Sequence, residues 1–188
     1  MSVGIEPDLS KTKRYSVATD IIETHNLKVV VKASSADFVY QKMPLHDSND
    51  DLLTVDDRFR ITLANRLFLK CFVEYCITQL CVENILFYID TEIFQTCTDP
   101  IQKATYAYYI YQVYVAQGAP MRINLTEEIR NSIIIPSLKE IQKDYDEFVY
   151  DEAQQYIYAN LKSHTFINFT RSNEYAKFVS HNREGKFI

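Results

Sequence analysis

The sequence is poor in the residues that interrupt regular structure, and it contains no tryptophan. Only three glycines and five prolines occur among its 188 residues. This scarcity argues against a turn-rich β-sandwich and against long disordered tracts. Hydrophobic residues make up 47% of the chain, and tyrosine and phenylalanine supply the aromatic 13%. A chain of this length and composition can bury the core of one domain plus an extension, and it predicts an all-α fold.

Features of nucleic-acid-binding, membrane-spanning and exported proteins are also missing. The formal net charge is -5 and the basic residues are scattered, which argues against nucleic acid or an anionic membrane surface as the main partner. The most apolar stretch, residues 67–94, is interrupted by five charged side chains, so it is too polar to span a membrane. No apolar signal core follows the N-terminus, so we expect a cytoplasmic chain.

Patterns that would organise metal binding or catalysis are absent as well. The four cysteines, Cys71, Cys76, Cys81 and Cys97, form no C-x-x-C pair, and the four histidines lie far from them in the sequence. We therefore expect reduced, mostly buried thiols and no metal. No glycine-rich phosphate loop, H-E-x-x-H helix or nucleophile elbow occurs. These absences favour a binding or regulatory protein that has no cofactor and no catalytic site of its own.

Helical periodicity dominates the chain after residue 54. Helices are predicted over residues 61–79, 82–97, 100–117, 149–163 and 173–179. Asp99 is the predicted cap of the third helix, with Pro100 in the first helical position. Thr126 is the predicted cap of a further helix that Pro136 ends or kinks. Short connections between antiparallel helices predict a bundle.

The chain divides into three parts by composition. Residues 1–54 are polar and end in an acidic run, so we expect an N-terminal extension that is partly irregular. Within this extension, a short strand at 27–31 is predicted to pair near 38–40. Residues 55–180 form the predicted helical domain, and residues 181–188 form a C-terminal tail.

Four segments, taken in order, resemble the regulator of G-protein signalling (RGS) family, and especially its fungal members. They read CVENILFY at 81–88, IYQVY at 110–114, GAPMRINL at 118–125 and YDEAQ at 150–154. Each block is short, but their order and spacing together are specific, and they cover roughly residues 60–180. The resemblance implies an all-α, RGS-like bundle of about nine helices, in which four central antiparallel helices support a smaller subdomain built from both chain ends.

The resemblance also implies a function. RGS domains bind the switch segments of the Gα subunit of a heterotrimeric G protein and accelerate GTP hydrolysis by holding the transition-state arrangement. Glu83 and Asn84 are similar to the family positions that touch the switches, and Asn124 is similar to the loop asparagine that reaches toward the catalytic glutamine of Gα. From the residues alone, each could instead be a cap or first-turn residue of a helix. The implied location is the cytoplasm, with recruitment to the plasma membrane through Gα.

The second half of the implied contact surface departs from the family pattern. Typical members carry a leucine, then an aspartate four residues on, then an arginine four residues later. The corresponding residues here are Asn160, His164 and Asn168, and Thr165 completes this rim. His164 and Asn168 cannot rebuild the charge-assisted pair of the aspartate and the arginine. The loss of such a contact can cost ~2–5 kcal/mol of binding free energy.

Three classes of function therefore stay open at the level of sequence. The first is a Gα-directed activator of GTP hydrolysis with a divergent rim. The second is an RGS-like interaction or scaffold module that lacks activating power. The third is a helical bundle that binds a lipid or another small molecule, which would require an internal apolar cavity.

Overall fold

The computed structural model describes residues 54–136, Glu140 and residues 146–183. Every regular element in these ranges is helical, which confirms the all-α prediction. The α-helices are α1 Val55–Ala64, α2 Arg66–Thr78, α3 Val82–Thr96, α4 Pro100–Ile110, α5 Glu127–Ser132, α6 Asp151–Asn160, α7 Ile167–Thr170 and α8 Asn173–Arg183. A π-helical segment, Tyr111–Val115, extends α4, and a second, Leu161–Phe166, joins α6 to α7. The predicted strand pair at 27–40 lies outside the described residues.

Within the described part of the chain, no helix is both long and apolar enough to cross a membrane. This finding agrees with the charged residues that interrupt the most apolar stretch of the sequence.

Two predicted helix starts are confirmed by their caps. The Asp99 carboxyl accepts a hydrogen bond from the Gln102 amide at 2.8 Å, and Pro100 occupies the first turn of α4. The Thr126 hydroxyl accepts from the Ile129 amide at 3.3 Å at the start of α5. Each oxygen satisfies a backbone donor that has no partner inside the helix.

The helix predicted over 61–79 is wrong as a single element. The chain breaks at Asn65, whose backbone is extended, with φ -97° and ψ 117°. Its side-chain oxygen accepts from the amides of Leu67 at 3.0 Å and Phe68 at 3.1 Å, so it caps α2. Asparagine favours this role because its short side chain competes with the helical hydrogen bonds of its own segment.

Three predicted helix ends also differ from the structure. The helix predicted to begin near Thr126 ends at Ser132, four residues before Pro136. The helix predicted to stop at Ser163 continues through the second π-helical segment into α7 and ends at Thr170. The last helix extends to Arg183 instead of Val179. These ends depend on packing against other helices, which local propensity does not record.

Contacts along α3 fix the directions of α4 and α6. Gln95 Nε2 near the end of α3 donates to Asp151 Oδ1 at 3.2 Å, so α6 begins where α3 ends. The side chain of Thr165 lies beside that of Cys81, so the segment after α6 ends where α3 begins. The connection 97–99 is short and α4 packs along α3, so α4 also returns toward the start of α3. We call the end of the bundle where α3 begins the upper end.

Aromatic side chains form the core between the central helices. The ring of Phe87 on α3 lies 5.6 Å from the ring of Tyr114 and 6.2 Å from the ring of Tyr150, both in edge-to-face geometry. The Tyr150 hydroxyl donates to the carbonyl of Ala107 at 2.6 Å, so the only polar atom of this side chain has a partner inside the core.

A second aromatic cluster joins the two ends of the described chain. Phe59 of α1 lies 5.8 Å from Phe72 of α2 and 5.0 Å from Phe166 of the second π-helical segment. Phe72 in turn lies 5.2 Å from Phe169 of α7. This cluster corresponds to the expected subdomain built from both ends of the domain.

A buried carboxyl group ties α3 to α4. Asp90 is 1% exposed and accepts hydrogen bonds from the hydroxyls of Tyr106 at 2.7 Å and Tyr114 at 2.5 Å. Burial and the neighbouring Asp90 raise the pKa of Tyr114 well above its ordinary value, so this phenol remains a donor. A buried carboxyl needs such donors because its desolvation is otherwise unfavourable.

The turn between α2 and α3 is a Schellman motif with leucine in the position usually taken by glycine. The Cys81 amide donates to the carbonyl of Cys76 at 3.0 Å, and the Leu80 amide donates to the carbonyl of Ile77 at 3.1 Å. Leu80 has φ 58°, in the left-handed region, and its side chain is 55% exposed. A residue with a Cβ is strained in this conformation.

This strain gives a stability prediction. Leu80→Gly should raise the free energy of unfolding by about 1 kcal/mol relative to Leu80→Ala, because only glycine relieves the left-handed strain. The alanine variant is the matched control, since it removes the same exposed side chain and keeps the Cβ. Urea unfolding followed by circular dichroism measures the difference. Equal unfolding midpoints for the two variants would contradict the assignment of backbone strain to Leu80.

Candidate partner-binding surface

The first turn of α3 presents Glu83 and Asn84 at the upper end of the bundle. Both side chains are half-buried. The N-cap of α3 is Cys81, which makes no side-chain capping hydrogen bond, so neither Glu83 nor Asn84 is the cap. Glu83 lies in the first turn, where a carboxylate interacts favourably with the positive end of the helix dipole. Neither residue is therefore the cap, whereas the alternative interpretation of both as first-turn residues fits the structure.

The predicted rim runs from the end of α6 through the second π-helical segment into α7: it consists of Asn160, His164, Thr165 and Asn168. The structure brings the side chain of Thr165 beside that of Cys81 at the start of α3. Asn160, His164 and Asn168 are all exposed, and the Nδ1 atom of His164 lies 2.7 Å from the Ser163 hydroxyl. These side chains are free to meet a partner because none of them is used in the core.

Buried residues between the rim positions and directly after them hold this part of the chain in place. Leu161, Phe166 and Phe169 are each no more than 2% exposed. Phe166 lies 6.0 Å from Phe72, in edge-to-face geometry, in addition to its contact with Phe59. The rim is therefore attached to the terminal aromatic cluster, and its backbone position is set by the core.

Asn124 lies on the loop that follows α4. Its side chain is exposed, whereas its neighbours Ile123 and Leu125 are buried. The Ile123 amide donates to the carbonyl of Tyr114 at 3.0 Å, and the Met121 amide donates to the carbonyl of Val113 at 3.0 Å. The loop thus binds the free carbonyl groups at the end of a helix. Because both neighbours of Asn124 point into the core, its amide is held facing outward.

Arg130 fixes this loop from α5, and sequence reasoning missed it. Its Nη1 donates to the carbonyl of Val115 at 2.8 Å, and its Nη2 donates to the carbonyl of Ile123 at 2.9 Å. Burial, followed by repulsion from Arg122, lowers the pKa of Arg130 from its usual high value. The only signal in the sequence is a basic residue in the last turn of a short helix, where carbonyl groups commonly lack partners.

The structure therefore positions four of the seven predicted residues through two sets of contacts. Thr165 is joined to the start of α3, where Glu83 and Asn84 lie, and Asn124 is held through α4 and α5. The surface offers side-chain amides and a carboxylate, which can donate to and accept from the backbone of a partner's loops. In the part of the chain that the structure covers, no group of three or more His, Cys, Asp and Glu side chains could hold a metal ion.

Comparisons with known proteins agree with the sequence pattern. Residues 58–178 match the family model of the regulator of G protein signaling domain. The chain is 25% identical over 137 residues to Regulator of G-protein signaling 8 of Danio rerio, which covers 71% of this chain and 74% of that protein. It is 27% identical over 134 residues to Regulator of G-protein signaling 21 of Homo sapiens, covering 69% and 82%.

A third relative is longer than this chain. The identity to Regulator of G-protein signaling 18 of Rattus norvegicus is 26% over 136 residues, covering 70% of this chain and 54% of that protein. The chain therefore spans about half the length of this relative. The special likeness to fungal members stays a prediction. Since the family model matches 58–178, well over half of the sequence, this chain belongs to the family of regulators of G protein signalling.

Proposed function

We propose that the chain binds the switch segments of a Gα subunit and accelerates its hydrolysis of GTP. The observation that carries this proposal is the exposed amide of Asn124, held between two buried neighbours on a loop that Arg130 fastens at two carbonyl groups. An amide fixed in this way loses little conformational entropy when it meets a partner.

The chemistry of Gα explains why fixed hydrogen-bonding groups are sufficient. Gα carries its own catalytic arginine and a glutamine that orients the attacking water, and its intrinsic rate is slow. Activation then requires only that these groups be held in the transition-state arrangement. The Asn124 amide can both donate to and accept from the glutamine side chain. The chain itself supplies no catalytic residue in this mechanism and requires no cofactor.

Glu83 and Asn84 hold the switch backbone in the same proposal. A carboxylate accepts from amide groups of an extended loop, and an asparagine side chain can pair with both backbone groups. The half-burial of both side chains restricts their rotamers before the partner arrives. Through Gα, the chain would act at the cytoplasmic face of the plasma membrane.

The alternative is an RGS-like scaffold without activating power. The observation that favours it is the rim, where exposed Asn160, His164 and Asn168 stand in place of the family's leucine, aspartate and arginine. Without the charged pair, the surface offers fewer strong contacts to a switch loop. The two functions differ in whether GTP hydrolysis responds to the chain.

Single-turnover hydrolysis tests the proposal directly. A purified Gα panel should hydrolyse GTP faster with the wild-type chain, and Asn124→Ala should lower this acceleration by at least about tenfold, because it removes a group aligned with the transition state. Asn131→Ala, an exposed asparagine on α5, is the matched control and should behave as wild type. No acceleration of any Gα by the folded wild-type chain would establish the scaffold function.

Arg130 gives a second prediction. Arg130→Met should lower the free energy of unfolding by about 1–3 kcal/mol, because two carbonyl groups lose a charged donor. It should also speed amide hydrogen exchange at Ile123 and weaken the activation of Gα. The control is Arg122→Met, an exposed arginine on the same loop. Wild-type exchange at Ile123 in the Arg130 variant would show that the loop is held by other contacts.

The rim gives a third prediction. His164→Asp should tighten Gα binding by about tenfold, because a carboxylate at this position accepts from switch-loop amides. Ser163→Asp places the same charge one residue away, also exposed, and should leave the affinity unchanged. Calorimetry with Gα in its transition-state complex measures both variants. Equal affinities for the wild type and the two variants would support the scaffold alternative.

A further inference from the structure

Two cysteines occupy the contacting positions of the turn that precedes Glu83. In a Schellman motif, the residue three from the helix end and the residue two past the cap touch through their side chains, which are usually apolar. Cys76 and Cys81 fill these two positions, and the Cys81 amide donates to the Cys76 carbonyl at 3.0 Å. The turn itself therefore brings the two sulfur atoms together.

The two thiols are in contact and are unequal. Cys76 is completely buried, whereas Cys81 is half-buried. The thiol of Cys76 donates a hydrogen bond to the sulfur of Cys81, and this bond, assisted by the Thr165 hydroxyl, lowers the pKa of Cys81. The same bond and burial raise the pKa of Cys76. Cys81 is therefore the more nucleophilic sulfur, and Cys76 is placed to react with it afterwards.

The other two cysteines have different surroundings. Burial, followed by repulsion from Glu74 and Glu174, raises the pKa of Cys71 to about 11. The Cys97 thiol donates to the carbonyl of Asp99 at 3.8 Å. Neither residue shares a Schellman turn with a second cysteine, so both serve as internal controls.

We propose that Cys76 and Cys81 form a dithiol site that a hydroperoxide oxidises to a disulfide, and that this oxidation loosens the surface formed by Glu83, Asn84 and Thr165. The chemical part of the proposal is independent of any partner. Only the predicted effect on GTP hydrolysis rests on the proposed function.

The peroxide is the two-electron oxidant of this reaction. The Cys81 thiolate attacks the O–O bond, so an S–O bond forms and the O–O bond breaks. The departing oxygen takes up the proton that Cys81 released to solvent and leaves as water or an alcohol. The Cys76 sulfur then attacks the sulfenic sulfur, so the S–S bond forms, the S–O bond breaks and hydroxide takes the Cys76 proton to leave as water. The two thiols lose two electrons and the peroxide gains them. A thiol reductant reverses the change.

The disulfide would act on the surface through Thr165. An S–S bond is ~2 Å long, much shorter than a hydrogen bond between thiols. Its formation draws Cys81 toward Cys76 and away from the Thr165 side chain beside it. The start of α3 and the second π-helical segment then lose a direct side-chain contact.

Mass spectrometry of the full chain tests the chemistry. Limited hydrogen peroxide should remove two hydrogen atoms from the wild type and from Cys71→Ser, and peptide mapping should locate the bond between Cys76 and Cys81. Cys81→Ser and Cys76→Ala, shown to be folded by circular dichroism, should form no such bond. Faster oxidation of Cys71 or Cys97, sulfinic acid at Cys81 without a disulfide, or a disulfide between two chains would each overturn the proposal.

Two measurements on the oxidised chain test whether the disulfide loosens the surface formed by Glu83, Asn84 and Thr165. Amide exchange across residues 161–166 should quicken, and acceleration of Gα hydrolysis should fall by about fivefold, with both restored by dithiothreitol. Unchanged exchange and unchanged acceleration after disulfide formation would overturn the coupling. If the reduced chain accelerates no Gα, the proposed function fails, and mass spectrometry and exchange still decide the dithiol proposal.

Discussion

The hydrogen bond between Tyr114 and Asp90 is the constraint on which the upper end of the bundle depends. Through its hydroxyl, Tyr114 is fixed to the buried carboxyl of α3 at 2.5 Å, and through its carbonyl it accepts the Ile123 amide at 3.0 Å. Asn124 follows immediately. The position of its amide relative to Glu83 is therefore set by one residue that contacts both α3 and the loop. Apolar packing alone tolerates small shifts of one helix along another, whereas a hydrogen bond is lost within a fraction of an ångström.

The π-helical segments explain how the loop and the rim are built. Both lie where helices end at the upper end of the bundle, after α4 and after α6. In the first, three successive carbonyl groups, those of Val113, Tyr114 and Val115, bind the loop and Arg130. Irregular helical turns of this kind are frequent at functional sites, because they free backbone groups for other contacts. The second segment presents His164 to solvent while Leu161 and Phe166 remain in the core.

Sequence reasoning reached the fold through signals that are local. Asp99 and Thr126 cap the helices that they were predicted to cap, and the motif at 81–88 led to the family that the comparisons show. The cap at Asn65 was not predicted, because the sequence around it has an uninterrupted helical pattern. Packing in the folded chain decides whether such a residue is helical or caps a helix. The role of Arg130 was not predicted, because it depends on two carbonyl groups that come within hydrogen-bonding distance only in the folded chain.

In the proposed function, the fixed position of Asn124 and the divergent rim affect different kinetic parameters of GTP hydrolysis by Gα. Groups that contact the switches equally in the ground state and the transition state affect how much Gα is bound, whereas a group aligned only in the transition state affects how fast the bound Gα reacts. In the proposed function, the changes at His164 and Asn168 belong to the first kind, since the charged pair that they replace would hold switch backbone. In the same proposal Asn124 belongs to the second kind, since it would address the glutamine that orients water. A chain with this surface would activate Gα fully at high concentration and poorly at low concentration, so the concentration at half-maximal effect, and not the maximal rate, would record the divergence.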